Sequence, residues 1–180
     1  EMCIRDRSTI VAVAVALQAP GTWTASASQD QLADLNLENT ILNDRSMDEG
    51  VQPNDKELSQ IASMVRESVE EGAVGFSTSR FLLHTVPDGR CTPGTWADLR
   101  ETEAIQRAVV EGGGAGALFQ SANDFATRRD IELQMFAQGT ELGCTVLFSG
   151  GAGAEGDGGV GRWAEFFERQ NEGGKRLASI

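Results

Sequence analysis

A chain of 180 residues with 40% hydrophobic content is long enough to bury a core and reads as a globular, non-membrane-spanning protein. Its 27 acidic against 15 basic residues leave a formal charge of -12, which repels nucleic acid and anionic membrane surfaces and leaves small-molecule ligands open. Three Cys and one His are too few for a disulfide framework or a self-contained zinc site.

At the N-terminus, Glu1-Met2-Cys3-Ile4-Arg5-Asp6-Arg7 resembles the translation of a transposase-end sequencing adaptor, so residues 1–7 are expected to be non-native and the chain to begin within a gene. That expectation weighs against a secretory signal built from Arg5, Arg7, the apolar run 10–17 and Ala25-Ser26-Ala27, and favours a cytoplasmic location. The run 10–17 equally fits a buried parallel strand by its length and its valines. Residues 18–45 are polar and aperiodic. The span 8–46 therefore holds at most one strand and a connection, and the organised part of the chain is 47–180.

After Pro53, Asn54 followed three residues later by Glu57 is a helix-start signature. Leu58, Ile61, Ala62, Val65 and Val69 then share a helical face until Gly72 stops it. A strand is predicted over 73–77, followed by a long loop with turn signals at Pro87-Asp88-Gly89 and Pro93-Gly94. A second helix is predicted over 97–111, ended by Gly112-Gly113-Gly114, with a strand over 115–120. Thr127 opens a third helix carrying Ile131, Met135, Phe136 and Leu142, and Gly143 leads into a strand over 144–149. A fourth helix over 162–172 presents Trp163, Phe166 and Phe167, and a last strand starts at Arg176. Helix and strand alternating, with crossovers of about thirty residues, point to parallel α/β architecture, either a doubly wound sheet or part of a (β/α)-barrel.

In both architectures ligands sit beyond the C-terminal strand ends. Those ends turn polar abruptly: Ser77 to Arg80, Gln120 to Asp124, and Ser149-Gly150. His84, the one imidazole, stands in the loop after the first strand, placed for acid-base work or substrate contact, or equally for loop packing. Arg80 fits bidentate binding of a carboxylate, or a salt bridge to a neighbouring acid. Cys91 and Cys144 lack a nearby His and read as inert thiols. Residues 151–156 match the glycine spacing of a dinucleotide loop, but 157–161 separate them from the next helix and Glu155 and Asp157 repel an anion, so a plain glycine-rich loop is expected.

The run Gly72 to Arg80, Leu82-Leu83-His84, Pro87-Asp88-Gly89 and Pro93-Gly94-Thr95 resembles the amidohydrolase family that includes N-acyl-D-amino-acid deacylase, and Leu118 to Phe125 resembles the strand that follows in its long-form branch. The likeness spans about 47–148 and is looser to residue 180. It implies a partial (β/α)8 barrel, TIM-type, truncated at both ends. The intact enzyme would hydrolyse the amide of an N-acylated D-amino acid, with zinc activating water and polarising the carbonyl. The family's His-x-His and the Cys after it have no counterpart here, and strand ends that carry His in better-known members carry Gln120 and Ser149. No metal ligand or catalytic residue is assigned to this chain, and its own activity is expected to be absent. Ser77, Ser79, Arg80 and His84 are the expected substrate-side residues. Unpaired parallel strand edges are expected to make the isolated chain prone to aggregation. The rival expectations are a non-catalytic barrel scaffold and a small nucleotide-binding domain.

Overall fold

The computed structural model describes residues 41–149 and 164–179; the adaptor-like run, the 10–17 strand, the glycine loop at 151–161 and Trp163 lie outside the described residues. Four helices alternate with four strands: α1 (Asp55–Glu70), β1 (Gly75–Ser79), α2 (Leu99–Gly113), β2 (Leu118–Ala122), α3 (Arg129–Leu142), β3 (Thr145–Ser149), α4 (Ala164–Gln170) and β4 (Arg176–Ser179). The strands form one parallel sheet in the order β1-β2-β3-β4. Because the spatial order follows the chain order, the described sheet has no point where the winding reverses, as a doubly wound sheet requires.

Local chemistry starts each helix. At α1 the Asn54 side chain accepts from the Lys56 and Glu57 amides, each at 3.0 Å, while Glu57 Oε2 accepts from the Asn54 amide at 2.9 Å, the capping box expected from the sequence. Asp98 caps α2 by accepting from the Glu101 amide at 2.8 Å. Gly143 closes α3 at a φ of 97°, a left-handed conformation open to glycine.

Helices α1, α2 and α3 pack side by side, and with α4 they bury one face of the sheet. Phe76, Phe119, Val146, Phe148 and Leu177 point into that layer and meet Ile61, Val65, Ile105, Val109, Met135 and Phe136. An aromatic cluster closes it at β3, with Phe148 stacked on Phe136 at 5.0 Å and on Phe167 at 5.6 Å between centroids. Alternate residues face the other way. Ser77, Gln120, Ala122, Leu147 and Ser149 are each only part-buried, so this second face is left uncovered by the described elements.

Several predicted boundaries moved. The first strand lies two residues later than expected, because the amide of Ala73 still wraps the helix end, donating to Ser68 O at 3.0 Å. The register of β1 with β2 begins at Gly75, whose backbone approaches Leu118 so closely that a Cβ would stand 1.8 Å from the Leu118 carbonyl oxygen. The second strand likewise starts at Leu118 instead of residue 115, after a turn in which Ala117 donates to Gly114 O. Gly112 and Gly113 belong to α2 instead of ending it. Thr127 precedes α3 and hydrogen-bonds Asp124 in the loop. The fourth helix ends at Gln170, two residues before the expected end.

Candidate functional site

Two faces of the sheet separate two kinds of polar residue at its C-terminal edge. On the uncovered face, strand register aligns Ser77 with Gln120 and with Leu147, and Ser79 with Ala122 and Ser149. Ser77 Oγ donates to Gln120 Oε1, and Gln120 Nε2 reaches Ser149 Oγ at 3.4 Å. Three neighbouring strands therefore present a connected row of neutral hydrogen-bonding groups. Such a row can donate to and accept from an amide or hydroxyl of a ligand.

Ser79 is 5% exposed and its hydroxyl lies 2.6 Å from Nδ1 of His84. That contact directs the imidazole: its other nitrogen, Nε2, has no partner among the described residues, and His84 is exposed. Phe81 packs its ring edge-on against the imidazole at 5.3 Å. The loop that carries His84 is folded back by the Thr85–Cys91 bridge, by Thr92 donating to His84 O at 3.1 Å, and by turns at the two sites expected from Pro87-Asp88-Gly89 and Pro93-Gly94. Arg90 closes the first turn on Asp88 at 2.8 Å and holds its carboxyl below the usual carboxylate range.

Arg80 does not join this row. It projects from the helix-covered face and is wholly buried, its Nε donating to both Glu132 oxygens at 3.0 and 3.1 Å and its Nη1 to Ala97 O at 2.7 Å. Asn123 Nδ2 donates to the same carboxylate, and Ser121 Oγ to Asn123 Oδ1 at 2.8 Å. Glu132 lies in the first turn of α3, where the helix dipole favours negative charge. The salt-bridge role weighed for Arg80 is the one its surroundings provide: it ties β1, α3 and the loop before α2 together beneath the rim. Beside it, Arg128 donates to Thr95 O and lies over the Trp96 ring at 5.3 Å; burial first, and then the Arg80 charge, lower its pKa.

Sequence reading placed Ser77, Ser79 and His84 at the rim and Gln120 and Asn123 on a polar strand end, but missed that Gln120 bonds Ser77 and that Asn123 bonds Glu132, and missed Glu132 altogether. A signal for Gln120 existed in the alternation of β2, where it falls between Phe119 and Ser121 on the opposite face. Glu132 had none, since an acid in the first turn of a helix ordinarily reads as solvent-exposed.

Neither of the two described thiols is activated by its surroundings. Burial pushes Cys144 up to about 12 and also raises Cys91, so both are neutral thiols at physiological pH. The described residues do not fit a zinc centre: no three His, Cys, Asp or Glu side chains cluster among them, and the strand ends offer hydroxyl and amide oxygens, which are poor zinc donors. No family model matches the chain, and neither the curated proteins nor the solved structures give a match.

Proposed function

We propose that the chain forms the substrate side of a metal-dependent amidohydrolase acting on N-acyl-D-amino acids. The observation that carries the reading is the hydrogen-bonded row Ser77–Gln120–Ser149, with the Ser79–His84 pair beside it, on the uncovered face at the C-terminal strand ends. The winding supports it: strands in chain order with helices on one face are what an arc of a (β/α)8 barrel requires, and in such barrels chemistry sits at this end of the strands. The resemblance of residues 72–95 to the deacylases supplies the substrate class.

In this reading the residues here bind and orient the acyl-amino acid and perform no bond-breaking step. Gln120 offers an amide to pair with the substrate amide, Ser77 and Ser149 flank it, and Ser79 fixes the imidazole so that Nε2 faces the ligand. A zinc ion would supply the activated water, and its ligands would have to come from residues other than those described.

The test is to express the complete reading frame containing this chain with zinc and to assay N-acetyl-D-leucine against its L enantiomer. Hydrolysis of the D form, with Ser77→Ala and His84→Ala each lowering kcat/KM by about tenfold or more, is the expected result. A zinc-loaded product inert toward both enantiomers sinks the reading and leaves a non-catalytic scaffold.

A further inference from the structure

At the opposite, N-terminal edge of the sheet lies an open cavity of about 230 Å³, bounded by the turns that lead into β2, β3 and β4. Its volume is below that of pockets for drug-sized ligands, so it suits a small ion or a short metabolite. Thr145 and Arg176 are register partners on adjacent strands, and their side chains stand next to one another on the same face. A Cβ placed on Gly116 would lie 3.6 Å from Arg176 Nη1 and 3.9 Å from Thr145 Oγ1, so both groups crowd the hollow that the missing side chain leaves.

Three features of this hollow concern charge and hydrogen bonding. Arg176 is exposed and has no acidic partner among the described residues, although the chain carries 27 acids. The buried Thr145 hydroxyl has no hydrogen-bond partner there either. Lys175 lines the same cavity with its ammonium held by Glu141, leaving Arg176 as the uncompensated cation.

We propose that this cavity binds a small oxyanion of the phosphate type, with the Arg176 guanidinium as the anchoring fork and the Thr145 hydroxyl as a second donor. A planar guanidinium matches two oxygens of a phosphate at once. A threonine hydroxyl that lacks an acceptor gains one when the anion enters, which removes the cost of leaving it unpaired. The site is separate from the rim and independent of the amidohydrolase reading, since it lies at the other end of the strands.

The experiment is a titration of the 15N-labelled chain with sodium phosphate, and separately with methyl phosphate, at ionic strength held constant with sodium chloride. Expected are saturable amide shifts at Gly116, Thr145, Gly173, Gly174 and Lys175, at least tenfold weaker in Arg176→Gln and several-fold weaker in Thr145→Val. Arg176→Lys, which keeps the charge but loses the fork, should fall between wild type and Arg176→Gln. Equal binding of methyl phosphate would extend the ligand class to monoesters, and preference for the free ion would restrict it to phosphate. Shifts that sodium chloride reproduces, or that acetate matches at equal concentration, overturn the proposal. So does an Arg176→Gln chain that unfolds more easily yet titrates as wild type, because Arg176 would then be a structural cation only.

Discussion

The Arg80–Glu132 pair concentrates risk in two side chains. Both are wholly buried, so deleting either charge strands the other in a low-dielectric interior. Glu132→Ala is expected to cost about 3–5 kcal/mol in urea denaturation. Arg80→Met paired with Glu132→Leu should recover much of that loss, since two apolar groups leave no stranded charge. A single variant that unfolds at the wild-type midpoint would show that the pair is not carrying the rim. Cys144 makes a pH prediction. Its folded pKa is raised to about 12, so the unfolded thiol ionises first as pH rises. The stability contributed by the neutral buried thiol is present below the ordinary thiol pKa and is lost between there and about 12. Cys144→Ala should flatten this alkaline fall in denaturation midpoints measured from neutral pH upward.

At the scale of elements, α1 and α2 meet so closely that glycine is required between them. A Cβ on Gly112 would lie 2.6 Å from the Arg66 carbonyl oxygen, a backbone atom that cannot swing aside. Gly112→Ala should therefore destabilise by about 1–3 kcal/mol even though alanine favours helix, whereas Asn54→Ala, which removes only the cap of α1, should cost about 1 kcal/mol. Thermal melts of the two variants decide it; a stabilised Gly112→Ala chain would mean that the helices are free to separate. The loop from β1 to α2 is held as firmly as an element. Gln52 bonds Trp96 O at 2.8 Å and the Asp98 amide at 3.0 Å, and Thr95 Oγ1 reaches back to Ser79 O at 3.3 Å. That bracing is what keeps His84 within reach of Ser79.

Over the whole molecule, one face of the sheet is covered by helices and the other, among the described elements, is not. The uncovered face mixes Ser77, Gln120, Thr145 and Ser149 with Leu118 and Leu147 and is part-exposed, and β1 and β4 are the edges of the described sheet. A charge of -12 opposes association of such edges. Screening that charge should reveal it: in sedimentation velocity, raising sodium chloride from about 10 mM to about 500 mM is expected to convert monomer into larger species. A chain that stays monomeric and melts in one sharp transition at both salt levels would show that its edges are protected.

How much of this was legible beforehand depends on the range of the interaction concerned. Local chemistry was enough for the alternating α/β order, the start of α1 at Asn54 and the turn positions in the long loop, because capping bonds and glycine dihedrals act over two to five residues. Where β1 and β2 begin was set by tertiary contacts, because strand limits follow from which backbone meets which partner across the sheet, and here the Ala73 amide is spent on the end of α1. The alternation of the strand leaves Ser77 and Ser79 on the open face and Arg80 on the covered one, whatever the residue at which pairing starts. Ser77 and Gln120 are separated by 43 residues, and Arg80 and Glu132 by 52. No local periodicity encodes such pairs; they exist only once a parallel register has brought the strand ends together.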